Sequence, residues 1–330
     1  MEGISAPAEV VKISSGIWAG MQFMRHGLNV QALRTNATLQ REEWVHFDTV
    51  LVQEGIIRLR AVALLLSRGL TMPIANALGR TMIEYEKITD MQAAIRSMDG
   101  ISRSYGDRVE YSQVQLPNFI THKDFDIYLR ALEASRNKGE PLDTTQVRVA
   151  GRLVSESLEN ALINGAGVVI NGVQGYGYRN HPNRNTGGFV TNGAWSAAAK
   201  VGADILEDTL KMITALQGDR HYGPYDILVP GDASVKLSND FKANGDLTIL
   251  QRLLEVDGVE NVITCDQMPT ANVVMVSATP DVVQLADGEG IQSVQWEIEG
   301  GMCVKFKALA IQVPIVKADA QGRSGVYHMS

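Results

Sequence analysis

The chain has 330 residues, 45% hydrophobic and 20% charged, a balance that fits folded proteins with a packed core and excludes disordered, collagen-like and membrane-embedded classes. At this length a two-lobed unit or two domains is expected. A net charge of −7 with a pI near 5.4 disfavours specific nucleic-acid reading, which needs a basic excess to neutralise phosphates.

The N-terminus carries Glu2 and Glu9 and no basic region before an apolar run, so no signal peptide is expected there. Residues Lys12 to Thr38 are rich in Gln, Asn and Gly without sustained period, which predicts an arm running over a surface. From Leu39 to Ser67 the text is helical. Trp44, Phe47 and Leu51, then Ile56, Leu59, Val62 and Leu66, recur at spacings of three and four, until Gly69 and Pro73 end the pattern. The longest apolar run, Ala61 to Leu66, is far too short to span a membrane.

Between Gly79 and Gln115 polar and apolar residues alternate twice, in Met82 to Ile88 and in Arg108 to Val114. Turn signals stand at Asp99-Gly100 and Gly106-Asp107. A two-stranded ribbon is predicted, and such a ribbon is marginal alone in water, so other surfaces must hold it. Asp143 then opens the strongest helix, with Gln146 placed for a capping box. Its apolar stripe is Val147, Ala150, Val154, Leu158, Ala161 and Leu162, while Arg148, Arg152, Glu156 and Glu159 sit off the stripe and Asn164-Gly165 ends the run. At 1.5 Å per residue this spine is ~30 Å long.

Asn171-Gly172, Gly175, Gly177, Pro182, Gly187-Gly188 and Asn192-Gly193 mark a long turn-rich segment. A second capped helix is predicted from Asp204, with Glu207 three residues on, to Gly218. Tyr225 to Val229 reads as a strand, Leu247 to Leu254 as a helix, and Asn261 to Cys265 and Asn272 to Val276 as strands, together a small α/β lobe. Val282 to Val313 returns to strands, with alternation in Val294 to Ile298 and Val304 to Lys307.

Motifs for chemistry are missing. Gly165-Ala166-Gly167 follows a helix, and Ile170 stands where a dinucleotide fingerprint needs its third glycine; no GxxxxGK[ST], HExxH or GxSxG occurs. The six histidines, His26, His46, His122, His181, His221 and His328, lack ligand spacing, and Cys265 and Cys303 form neither CxxC nor zinc-like spacing, so buried thiols are expected. Asp124 and Asp126 flank Phe125 in an extended segment, which puts both carboxylates on one face, as a catalytic pair or as ordinary polar alternation. No cofactor, no metal and no enzymatic activity are expected.

Leu116-Pro117-Asn118-Phe119-Ile120-Thr121-His122-Lys123-Asp124-Phe125, then Leu129, Leu132-Glu133-Ala134-Ser135-Arg136 and Gly139-Glu140-Pro141-Leu142-Asp143-Thr144-Thr145, resembles the encapsulin shell proteins, which share the Hong Kong 97-type fold with tailed-phage capsids. The likeness extends to Arg41-Glu42-Glu43-Trp44 and to Gly223-Pro224-Tyr225-Asp226-Ile227-Leu228-Val229. Asn171-Gly172-Val173-Gln174-Gly175-Tyr176 with Asn180-His181-Pro182-Asn183 is similar to the loop after the spine helix of phage capsid subunits.

The resemblance implies an α+β Hong Kong 97-type fold: 1–72 arm and helix, 73–115 extended β-ribbon, 116–222 peripheral domain with the spine helix 143–164, 223–280 axial domain, 281–330 returning strands and tail. It further implies a major capsid protein that assembles with many copies of itself, as pentamers and hexamers, into an icosahedral shell enclosing double-stranded DNA. Subunit contacts are expected at Tyr85, Glu86, Lys87, Arg108, Glu110 and Tyr111, where Lys87 also reads as a solvated lysine blunting a strand edge. Decoration or cementing protein, portal and a separate scaffold are the further partners implied, with no membrane; the location is the virion capsid, after synthesis in the host cytoplasm. An encapsulin-like nanocompartment shell, or an α/β enzyme without a recognisable motif, are the alternatives.

Overall fold

The computed structural model describes residues 47–330 apart from 48, 56–58, 90, 92, 99–107, 132–133, 135–143, 243–244, 246, 300–301 and 320. The expected arm, both ribbon turns, Trp44 and Asp143 lie outside the described residues. Helical text before Ser67 is interrupted: residues 49–55 are helical, Leu59 and Arg60 are not, and α1 spans Ala61–Ser67. Leu66, expected on the apolar stripe, is largely exposed, and Leu65 takes the buried place.

A four-stranded sheet carries the first lobe, in the order β1 (Thr71–Pro73), β11 (Val283–Ile298), β12 (Cys303–Val316), β4 (Thr121–Tyr128). Strand β12 shows why this sheet forms. Its even residues Val304, Phe306, Ala308 and Ala310 join one core, and its odd residues Ile311, Val313 and Ile315 join another, the period of two that a pleated strand imposes. The even face is covered by α2 (Thr145–Asn164), whose Val147, Ala150, Val154, Leu158 and Leu162 are buried in that core. Ala161, expected on the same stripe, is buried as well. Helix 49–55 crosses α2 at Gly151, where a Cβ would stand 3.2 Å from the Leu51 carbonyl oxygen, so only a glycine admits this approach without movement.

The second lobe is a five-stranded sheet in the order β7 (Asn185–Gly187), β13 (Val326–Met329), β10 (Val273–Ser277), β8 (Tyr225–Val229), β9 (Val259–Thr264). Helices α3 (Gly202–Gly218), α4 (Gly231–Leu237) and α5 (Ile249–Leu254) pack on it. Trp195, Ile205, Met212 and Leu216 share one core with Tyr225, Ile227 and Met275. The boundary expected at 222/223 therefore falls inside a single core, and the C-terminal strand β13 belongs to this sheet although β11 and β12 belong to the other. Two short strands, β5 (Val169–Ile170) and β6 (Val173–Gln174), form a hairpin in the turn-rich segment.

Local capping departs from expectation at two places. Asp204 is not the N-cap of α3; it is the third helical residue, and its carboxylate accepts from the Val201 N–H (3.2 Å) and the Asn192 amide (2.8 Å). Glu159, expected off the apolar stripe, is 2% exposed and accepts from the N–H groups of Ala61 (2.8 Å) and Val62 (3.2 Å). It thus satisfies two orphan donors at the start of α1 from inside α2. The expected Arg152–Glu156 pair is present at 3.7 Å on the solvent side.

Two outcomes follow from this packing. Leu158→Ala removes a side chain 2% exposed between α2 and the sheet, and is expected to cost ~2–4 kcal/mol in denaturant melts; an unchanged midpoint would contradict this placement. Burial raises the Glu159 carboxyl above its ordinary value, against the lowering pull of the Ala61 and Val62 N–H groups. The folded state then holds a proton that the unfolded chain has released, so this residue's contribution weakens as pH rises from the unfolded glutamate value, about 4.3, through the raised folded value. Relative to Glu159→Gln, the wild type should lose stability across that window; a pH-independent difference between the two would show that the hydrogen bonds cancel the desolvation.

Candidate assembly interface

Strands β2 (Met82–Ile88) and β3 (Tyr111–Pro117) pair antiparallel, from Met82 opposite Pro117 to Ile88 opposite Tyr111. The second strand begins three residues later than the expected Arg108. Hydrogen bonds between Thr89 and Glu110 extend the ladder one step beyond the strands. One face of the ribbon's base carries Ile83, Tyr85 and Leu116, buried against Ala286, Ile311, Val313 and Ile315 of the four-stranded sheet. The other face carries Glu84 and Gln115, joined at 2.8 Å. Buried Asn118 clamps the base by donating to the carbonyls of Ala77 and Arg80, both 2.7 Å away.

The six expected contact residues therefore divide. Tyr85 is buried in its own subunit, and burial raises its phenol. Lys87 follows the same strand face and is half-buried, close enough to His181 for its charge to disfavour the imidazolium. Glu86, Arg108, Glu110 and Tyr111 are exposed. Sequence reading missed Met91, Ile95 and Met98, which stand exposed between the two strands, Met98 fully and Met91 at 54%. Their spacing of four and three was the available signal, although the backbone there is neither helix nor strand among the described residues. The ribbon is thus anchored at its base and leaves an apolar group uncovered by the described residues beyond it.

A groove of ≈ 270 Å³ lies beside the spine helix, lined by Phe119, Ile120 and His122 on one side and Ser157, Asn160 and Val168 on the other. Ile120 and Val169 are exposed near it. Asp124 and Asp126 follow the polar alternation of β4: Phe125 stacks on Phe306 at 5.2 Å, while Asp124 pairs with Lys307 at 3.5 Å. Gly165 ends the spine helix at φ +88°, a backbone state that favours glycine. Cys265 and Cys303 are free and buried. Among the described residues no group of His, Cys, Asp and Glu is placed to hold a metal, and no helix is long and apolar enough to cross a membrane.

No curated protein matches the chain by sequence. Among solved structures, a virus-like particle from Pyrococcus furiosus superposes with a TM-score of 0.63 at 15% identity, over 88% of this chain and 99% of that one. The capsid of Myoviridae phage XM1 gives 0.61 at 12% identity, over 79% and 90%. The capsid of a native GTA particle gives 0.56 at 11%, over 89% and 92%. The fold is the α+β Hong Kong 97-type fold of these shells. A family model described as a family of unknown function, DUF6260, matches residues 33–329, and the chain belongs to that family.

Proposed function

We propose that this chain is a tailed-phage-type major capsid protein, a subunit that assembles with many copies of itself, as pentamers and hexamers, into an icosahedral shell around double-stranded DNA. The observation that carries the reading is the ribbon: a base built into its own core and an outer end whose Met91, Ile95, Met98 and Tyr111 are uncovered among the described residues. Exposed apolar surface on an extended two-stranded element is costly to leave in water and favours burial on another molecule. A neighbouring copy supplies that surface in a closed symmetric assembly without a second gene product. Decoration protein, portal and separate scaffold would be added partners of the same shell, and the virion its location.

Replacing Met98 and Tyr111 together with Asp is expected to abolish particle formation in negative-stain microscopy while leaving the thermal midpoint of the subunit unchanged, because neither side chain belongs to its core. Normal particles from this variant would overturn the role of the ribbon.

A nanocompartment shell is the second reading. Its support is that the Pyrococcus particle and the XM1 capsid superpose almost equally well, at TM-scores of 0.63 and 0.61, so architecture alone favours neither content. Charge bears on content more directly. Of the N-terminal basic residues Arg25, Arg34, Arg41, Arg58, Arg60 and Arg68, the last is neutralised by Asp226 at 2.6 Å and Glu260 at 2.7 Å, and the chain as a whole is at −7. Empty shells are therefore expected to show no duplex-DNA binding in a gel or filter assay at physiological salt, where non-specific binders reach roughly 10⁻⁴ to 10⁻⁶ M. Tight binding that is lost at high salt and on neutralising the arginines would reverse the picture of a non-adhesive wall.

A further inference from the structure

The segment after the spine helix turns back and is tied to the helix end, with Tyr178 and Arg179 N–H groups donating to the carbonyls of Leu162 and Ile163, each at 2.9 Å. There it builds a continuous polar chain joining both lobes. Arg179 donates through Nη1 to Asn164 at the end of α2 and through Nη2 to Asn272 Oδ1 (3.2 Å) before β10. Asn272 Oδ1 also meets His328 Nε2 (2.7 Å) in β13, and His328 Nδ1 accepts from Arg184 Nε (3.4 Å). Arg184 Nη1 closes the chain on the His181 carbonyl (2.8 Å).

Every partner in this chain is an amide, a carbonyl or an imidazole. Three other buried or partly buried cations are matched by carboxylates: Arg68 with Asp226, Lys200 with Asp208 at 2.6 Å, Arg323 with Asp319 at 2.6 Å. Among the described residues Arg179 and Arg184 have no carboxylate partner, although the chain is acidic overall. Donors are left over as well. Arg179 Nε is buried without a hydrogen-bond partner, and a buried donor left unpaired loses the hydration it had in the unfolded chain. His181 Nδ1 accepts from the Asn183 N–H at 3.3 Å, which puts the ring proton on Nε2, for which no partner stands among the described residues.

We propose that Arg179, Arg184 and His181, with His328 holding Arg184 in place, form a binding site for a small, multiply charged oxyanion of the phosphate class. Beside the orphaned Arg179 Nε, Arg184 Nη2 and His181 Nε2 are donors without a hydrogen-bond partner among the described residues, and phosphate and sulfate oxygens are strong acceptors for such groups. The field of the site has the matching sign. Burial first, then Lys87 and Arg184, hold His181 down to about 4; burial first, then Arg179 and Arg184, hold His328 down to about 4. Both imidazoles are neutral at neutral pH; His181 offers its Nε2–H, while His328 spends its one N–H on Asn272 and its lone pair on Arg184, and the cations around them have no compensating charge until an anion arrives. Access decides the size of the ligand. His181 is 6% exposed and the two arginines are half-buried, so the site is too enclosed for a phosphodiester within a duplex. The site lies within one subunit and stands independently of the shell reading.

The test is the melting temperature of the full chain in phosphate, sulfate and chloride at one ionic strength. A saturable upward shift with phosphate and sulfate is expected, as for any ligand that binds the folded state alone, and it should vanish in Arg184→Gln. An equal shift in chloride, or a shift retained in folded Arg184→Gln, would overturn the site. Should Arg184→Gln not fold, phosphorus NMR of phosphate with the wild-type chain decides: broadening relieved by sulfate and not by chloride supports the site, and no broadening removes it. A shift produced by duplex DNA but not by inorganic phosphate at equal phosphate concentration also rejects a small-anion site.

Discussion

Strand β12 is buried on both faces over most of its length, and the rest of the subunit is arranged around that constraint. An antiparallel strand ordinarily turns one face to water, so two-sided burial requires two separate covers. The amphipathic spine helix supplies one and the base of the ribbon supplies the other. The dependence runs both ways, because a lone pair of strands is marginal and gains its stability from Ile311, Val313 and Ile315 beneath it. Where Lys305 and Lys307 replace apolar residues on the odd face, the cover ends. Anchorage of the ribbon and exposure of its far end are thus two consequences of one alternation pattern.

Charges inside the second lobe are handled by complete satisfaction. Lys200 and Asp208 are fully buried; Asp208 also accepts from the Val190 N–H (2.8 Å) and the Trp195 indole (2.9 Å), while Lys200 donates to the Thr191 carbonyl (2.6 Å). A buried ion pair adds little net stability over an apolar pair, but breaking it leaves an uncompensated charge, so it holds the segment from Val190 to Lys200 in one place on α3. In the chain from Asn164 to His181, by contrast, the cations meet amides, a carbonyl and an imidazole in place of carboxylates.

Much of the fold was legible because its signals are local. The spine helix shows its stripe at spacings of three and four, Asn164-Gly165 shows its stop, and β8, β10 and β12 show continuous or alternating apolar runs. What escaped reading depends on partners distant in sequence. Glu159 looks like a solvent residue until α1, 97 positions away, presents its N–H groups. Asp204 looks like an N-cap because the rule sees three residues and not the Asn192 amide that also holds it. Trp195 lies in a stretch dense with glycine and alanine that reads as loop, yet it is 1% exposed because Asp208 satisfies its indole and the five-stranded sheet covers its ring. The shared core on both sides of 222/223 is hidden for the same reason: α3 precedes the strands it packs on, and no composition change marks that they pack together.

A common fold at 11–15% identity leaves function to be argued from surfaces. Two surfaces of this subunit differ in kind. The ribbon's base is held by Asn118, whose amide donates to the carbonyls of Ala77 and Arg80, and beyond that base Met91, Ile95 and Met98 are apolar and exposed. Arg68 is by contrast turned inward and neutralised by Asp226 and Glu260. Burial pushes the Asp226 carboxyl up while Asn261 and Arg68 pull it down, so this pair is held by geometry more than by a large electrostatic gain. Arg68 thus keeps its charge inside the molecule, whereas the apolar side chains beyond the ribbon's base are uncovered among the described residues, so the two surfaces offer opposite chemistry to anything that meets them.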